Sequence, residues 1–286
     1  MGIRPLNEPE PAHFVSLDSD QFAKEATGIV ENAKSRGIVL RILGALAVYV
    51  HSLDRPDCIQ AHTTFQRNGE GKPMFTDLDL IAYKKQRKDV VKLLQDSGFK
   101  ADSMVNWFFG DKMMVYEHPE SKLHVDVFFN KLEYSHDVVF GEKPGSGRLE
   151  IDSPTIAPSD IVLEKLQPHQ MGRKDALDLI VLFMGHDVGE QDGKETIDGV
   201  YVGSVLSDDW GFWYDVTTNL VKVRDLTNEL LTQNKITREQ SDRVKKAVDE
   251  LSKRIDSSPK SKKWKAREKD GVSKPWFRPV EELMPS

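Results

Sequence analysis

Cysteine is nearly absent. Cys58 is the one cysteine in 286 residues, which excludes an intramolecular disulfide and a cysteine-based metal cage. Long apolar runs are missing as well: no stretch approaches the roughly 18–20 residues needed to cross a bilayer. The opening MGIRPLNEPEPAHF has no apolar core of the kind a secretion signal carries. Met1-Gly2 begins like a myristoylation site, but Leu6 stands where that signal wants Ser or Thr. The expected location is the cytoplasm. Paired metal-ligand histidines are also lacking. HTTFQ and LHVDV each hold one His without a second at ligand spacing, and His186-Asp187 lacks the partners of an HD-type site. DVGEQDGKETID departs from the calcium-loop pattern, with its Gly one place late.

A basic surface is not there either. Asp and Glu outnumber Lys and Arg by 46 to 40, a formal charge of −6, which argues against a chain that binds nucleic acid over its whole surface. The charge is unevenly spread. Residues 257–280 carry eight Lys or Arg against Glu268 and Asp270, a local +6 that leaves about −12 on the remainder.

What the chain does have is the composition of an ordinary globular protein, 38% apolar and 30% charged, and enough length to bury a real core. Residues 19–36 place Phe22, Ala26, Ile29, Val30 and Ala33 on one helical stripe, with Ser19 or Asp20 as cap and Gly37 as terminator. A short apolar strand, IVLRIL, follows. Gly44 breaks it, and ALAVYVHSL reads as a buried helix. Residues 54–74 read as a loop, 75–83 as a strand and 84–98 as a charged helix. VNWFFG, KMMVYEH and KLHVDVFF then read as strands, with turns at Gly110-Asp111 and HPES. Beyond residue 158 helices dominate, among them SDIVLEKLQ, GRKDALDLIVLFMG, TIDGVYVGSVL, a long one over 209–231 and another over 236–256. WGFWY in the long helix reads as core packing rather than a base-stacking platform. Residues 147–158 are the expected hinge, dividing an α/β core (1–150) from a helical domain (151–256) and a basic, aromatic tail (257–286).

The stretch FTDLDLIAY places Asp77 and Asp79 on one face of a strand, roughly 6.6 Å apart. At an effective dielectric near 20, their repulsion is about 2.5 kcal/mol. A cation between them would turn that repulsion into a binding site. A further strand acid, Asp126, stands in HVDVFF.

This order of elements and residues resembles the nucleotidyltransferase superfamily, the polymerase-β-like fold. The matching positions are Leu43-Gly44-Ala45 at the helix start, Asp77-Leu78-Asp79 on one strand and Val125-Asp126-Val127 on another, over about residues 19–135. Ala45 departs from the usual Gly or Ser. The resemblance implies an α+β fold, an α/β nucleotidyltransferase core with a mixed sheet followed by a mainly helical C-terminal half. It further implies Mg²⁺ or Mn²⁺ on Asp77 and Asp79, with Asp126 completing a second metal position or accepting the attacking hydroxyl's proton, phosphates resting at Gly44 and Ala45, and an NTP as substrate. The expected reaction transfers a nucleoside monophosphate to a protein, an RNA or a small molecule and releases pyrophosphate.

The segment SDIVLEKLQPHQMGRKDALDLIVL is similar to the helical segment after the core in abortive-infection (AbiEii-type) and MNT-type nucleotidyltransferases. Glu164-Lys165 and Arg173-Lys174-Asp175, with Asp178, carry that similarity. It implies Lys165 at the triphosphate and Asp175 and Asp178 orienting it, and it suits a toxin–antitoxin role. Ordinary solvated helix pairs are the alternative for these residues. The tail admits two readings as well: a clamp for RNA, with cations on phosphates and Trp264, Trp276 and Phe277 on bases, or a basic segment folded back over the acidic body. A catalytically inactive nucleotide-binding protein of the same fold, or a nucleic-acid binder acting through the tail, are the alternatives to an enzyme.

Overall fold

The computed structural model describes residues 17–110, 112–193 and 196–279. Helix α1 (Ser19–Ser35) buries Phe22, Ala23, Ala26, Val30 and Ala33. Its cap is Asp18, one residue before the expected pair. The Asp18 carboxylate accepts from the Gln21 N–H, and the Gln21 side chain accepts from the Asp18 N–H, a reciprocal box that satisfies two orphan donors. Strand β1 (Leu40–Ile42) is wholly buried, and Gly44 opens the short helix α2 (Gly44–Val50) directly after it.

Residues 54–74 are not all loop. They include α3 (Pro56–Phe65), with Pro56 in the first helical turn, where a missing N–H costs nothing. The helix buries only Cys58, Ala61, His62 and Phe65, a stripe thin enough for its polar residues to conceal. Then come β2 (Asp77–Ala82), α4 (Arg87–Asp96) and β3 (Lys100–Ala101). The expected strand VNWFFG is instead the core of α5 (Ser103–Phe109), started by Asp102, whose carboxylate accepts from the Met104 and Val105 N–H groups. The turn expected at Gly110-Asp111 includes Asp111, which lies outside the described residues. Strands β4 (Met113–Glu117) and β5 (His124–Phe129) form the expected hairpin, and β6 (Lys131–Glu133) and β7 (Asp137–Val139) a smaller one.

The main sheet has the order β1-β2-β5-β4-β3 and is mixed: β2 and β5 run parallel, and the other neighbours are antiparallel. In the second half follow α6 (Pro158–Leu166), α7 (Arg173–Gly185), β8 (Asp187–Gly189), β9 (Thr196–Asp198) and α8 (Gly199–Leu206). Helices α9 (Trp210–Thr232), α10 (Arg238–Ser257) and α11 (Lys262–Glu268) complete it. TIDGVYVGSVL, expected to be one helix, begins as β9, and Asp198 caps α8 by accepting from the Tyr201 N–H. The architecture is thus an α+β core with a mixed sheet and a mainly helical C-terminal half. No helix among the described residues is long and apolar enough to cross a membrane.

The two halves share one core. Val48 of α2, Leu80 and Val127 of the sheet, Ile161 of α6, Ile180 of α7 and Val248 of α10 belong to a single buried cluster. Residues 147–158 run along the sheet edge: the Ile42 N–H donates to the Pro154 carbonyl and the Ile156 N–H to the Ile42 carbonyl, each at 3.0 Å. That pairing seats α6 and α7 beside α2, at the ends of the acid-bearing strands.

Candidate functional site

Strand register brings two of the acids side by side. Asp79 on β2 is the direct partner of Asp126 on β5, and Asp77 is opposite His124. Leu78 and Val125 are fully buried, while Asp77, Asp79 and Asp126 on the other face keep some exposure. Neighbouring strands lie about 4.8 Å apart, so the Asp79 and Asp126 side chains rise together from one surface.

Gly44 closes over them. The Leu43 N–H donates to the Asp79 carbonyl at 3.0 Å, tying the turn before α2 to the strand. Gly44 has φ +74°, and a Cβ there would stand 2.6 Å from Asp79 Oδ2. Both the left-handed backbone and the approach of the carboxylate therefore require glycine. The Gly44 N–H donates to Glu164 Oε2 at 3.2 Å, so α6 delivers a fourth carboxylate to the same place.

These acids raise one another. Burial first, and then Asp77, Glu164 and Asp126, push the Asp79 carboxyl well above the carboxylate range, with Lys165 opposing. Burial and Asp77 lift Asp126 to about 6, against His124. Glu164 is lifted to about 7 by burial, although Lys165 and the Gly44 N–H pull it down. Tyr134 is pushed upward too, by burial and by its neighbours Asp79, Glu164 and Asp126. The site is short of positive charge.

Lys165 supplies part of it and lines both clefts. Burial opposes its charge, but Asp178, Asp175 and Glu164 outweigh that and hold the ammonium charged. Its Nζ lies 3.0 Å from Asp175 and 3.1 Å from Asp178. Asp178 also takes a two-point contact from Arg67, at 3.0 and 3.1 Å. The Lys165–Asp178–Arg67 chain is largely buried, whereas Arg173 forms a solvated pair with Glu229.

Asp79 and Lys165 stand between two clefts. A polar cleft of about 220 Å³ includes Ala45, Arg67, Asn68, Thr76, Asp77 and Lys174. A larger one of about 550 Å³ includes Gly44, Glu164 and Asp175, and extends to Tyr134, His169 and Phe277. Of the eight residues expected from the sequence, six line these clefts, while Asp126 stands beside Asp79 on the neighbouring strand and Asp178 is buried against Lys165.

Glu164 had been read only as Lys165's sequence neighbour. Arg67, Tyr134 and His169 are not among the expected site residues, and Phe277 is expected only as a base-contacting ring of an RNA clamp. Arg67 follows the helix hidden in an apparent loop, and Tyr134 and His169 reach the site from segments whose local pattern carries no signal.

Among the described residues, no three His, Cys, Asp or Glu side chains are drawn together as a ready cage for a metal ion. Mg²⁺ seldom uses such a cage: it takes one or two carboxylates and completes its shell with phosphate and water. Hard oxygen donors on Asp77, Asp79 and Asp126, mutually repelling and short of a cation, fit it on donor chemistry.

The tail folds back over the body. Trp264 is buried against Trp213, and half-buried Trp276 packs against Trp210 and Tyr214. WGFWY is core packing as expected, with Trp210 and Phe212 buried.

No protein-family model matches the chain, and no curated protein matches it. Two solved structures align over most of its length. One is an antigenic nucleotidyltransferase-like protein from Paracoccidioides brasiliensis, 16% identical, covering 86% of this chain and 96% of that one at a TM-score of 0.38. The other is the STING-associated CdnE c-di-GMP synthase from Capnocytophaga granulosa, 11% identical, covering 86% and 88% at a TM-score of 0.22. Likenesses this distant carry no weight for function, which rests on the site's own geometry.

Proposed function

We propose that this chain is a metal-dependent nucleotidyltransferase, moving a nucleoside monophosphate from an NTP to the hydroxyl of an RNA, protein or small-molecule acceptor. The observation that carries the reading is the in-register pairing of Asp79 with Asp126 beneath a glycine turn shaped to admit the Asp79 carboxylate. Asp77, Asp79 and Asp126 are the residues to hold Mg²⁺ or Mn²⁺, which when bound supplies charge neutralisation and Lewis acidity at phosphate. Lys174, on the rim of the small cleft, brings positive charge to it for the phosphate end of the nucleotide. Asp126, standing beside Asp79 on the neighbouring strand, takes the proton of the acceptor hydroxyl. The hydroxyl oxygen then bonds the α-phosphorus as the bond to pyrophosphate breaks.

The test is pyrophosphate release from labelled NTPs with Mg²⁺ or Mn²⁺, comparing wild type with Asp79→Asn and Asp126→Asn. Release should fall by about a hundredfold or more in Asp126→Asn and vanish in Asp79→Asn. Equal release by all three sinks the assignment. One observation favours a second reading. The Gly44 N–H is already engaged by Glu164, which suits a protein that binds nucleotide without transfer. Nucleotide binding without pyrophosphate release identifies that case.

A further inference from the structure

The C-terminal tail supplies a wall of the large cleft that neither the sheet nor the helical half provides. Beyond α11 the chain returns to the site, and Phe277, Arg278 and Pro279 line the same cleft as Gly44 and Asp79. Asp215, inside α9 and 1% exposed, pins it there. Its carboxylate accepts from Trp276 Nε1 at 3.0 Å and bonds the rings of His169 at 2.9 Å and His136 at 2.8 Å. Burial favours its neutral form, but these partners hold the carboxyl below its usual range. His169 lies face to face with Phe277, centroids 3.7 Å apart and planes within 12° of parallel, and Trp276 stands edge-on to both.

This wall offers ring surface rather than charge. Arg278 donates to the Tyr134 carbonyl at 2.9 Å and to Asp137. Arg267 donates to the carbonyls of Gly271, Lys274 and Pro275, and Lys274 pairs with Asp270. A tail built to grip phosphate would keep its cations available. Phe277 and His169 are half-buried at this end of the cleft with Tyr134 beside them, and Arg278 and Pro279 are exposed at its rim. At the other end, past Asp79, lies the polar cleft with Arg67 and Lys174. A molecule anionic at one end and planar and aromatic at the other matches the two clefts and the carboxylates between them.

We propose that Phe277, backed by His169, is the platform on which the nucleobase of the bound NTP stacks, so that the tail is part of the substrate site. This rests on the nucleotidyl-transfer reading and extends it to a binding subsite. Stacking on an aromatic side chain is worth roughly 5- to 150-fold in affinity per base.

Calorimetric titration of the full chain with Mg²⁺ and each of ATP, GTP, CTP and UTP, alongside Mg²⁺ with inorganic tripolyphosphate, tests it. Phe277→Ala should weaken binding of the preferred NTP by about tenfold or more and leave tripolyphosphate binding unchanged. Phe277→Tyr should retain NTP affinity, and His169→Ala should lose it in the same direction as Phe277→Ala. If Phe277→Ala melts early, Phe277→Leu carries the same test, because it keeps apolar bulk without a ring face. NTP binding equal in wild type and the ring-less variant overturns the platform and leaves the transfer reading standing. An equal loss of tripolyphosphate binding also overturns it. A wild-type chain that binds neither NTP nor tripolyphosphate overturns the transfer reading, and the platform with it.

Discussion

Glu164 is the residue where folding and site chemistry meet. It is buried, bonded to the Gly44 N–H, and its carboxyl is raised to about 7 from an ordinary 4.5. A carboxyl raised on folding means that the native state prefers the protonated form. The stability from that preference is complete below about pH 4.5 and is lost as pH rises through 7. Glu164→Gln is neutral at every pH and keeps an oxygen for Gly44. In divalent-free buffer, the variant should therefore gain on wild type between pH 4.5 and 8, by on the order of 2–3 kcal/mol. Urea unfolding across that range reads the difference, and a pH-independent gap between the two proteins contradicts the assigned cause. Residue by residue, legibility follows distance along the chain. Asp77 and Asp79 announce themselves because two carboxylates break a buried strand within nine residues, and Gly44 because it separates a strand from a helix. Glu164 looks like any helical acid until α6 is packed against α2, 120 residues away.

Among the elements, α3, α6 and α7 are joined less by apolar contact alone than by one buried ionic chain. Asp178 of α7 is 1% exposed and accepts from both Lys165 of α6 and Arg67, which follows α3. Asp178→Ala takes from Arg67 its two-point carboxylate and from buried Lys165 one of its two partners, and should cost about 3 kcal/mol. Asp175 also meets Lys165, but its side chain is 30% exposed, and Asp175→Ala should cost about 1 kcal/mol or less. Chemical denaturation of both variants checks the contrast, and equal losses would show that burial is not what sets the cost. The acid-bearing strands β2 and β5 were legible because Leu78 and Val125 alternate with acids before each run becomes wholly apolar. Helices α3 and α5 were not. In α3 a narrow buried stripe hides among polar residues. In α5 a run of Val, Trp and Phe has strand propensity, and the Asp102 cap with its two N–H donors decides for helix instead.

At the scale of the whole molecule, a tail carrying +6 lies on a body of about −12, and the natural inference is that charge holds it down. The contacts say otherwise. Lys263 is 3.8 Å from Asp208 and Arg278 pairs with Asp137, all partly or well exposed, and exposed pairs contribute little. The buried attachments are Trp264 against Trp213, and Trp276 donating to Asp215 between His136 and His169. Salt screens exposed charges to about 3 Å at 1 M but reaches buried pairs far less, and it does not weaken ring burial. Limited trypsin digestion separates the two causes, since the tail offers cleavable basic residues from Lys262 to Lys269. Wild type should remain protected there at high salt. Asp215→Ala, which leaves two His rings and the Trp276 N–H without their shared acceptor, should be cut in the tail while the body resists. Wild type opening at 1 M NaCl would return the tail to electrostatic control. The cleft wall at Phe277 would then be set by ionic strength, and nucleotide affinity would have to fall with salt more steeply than the phosphates alone require.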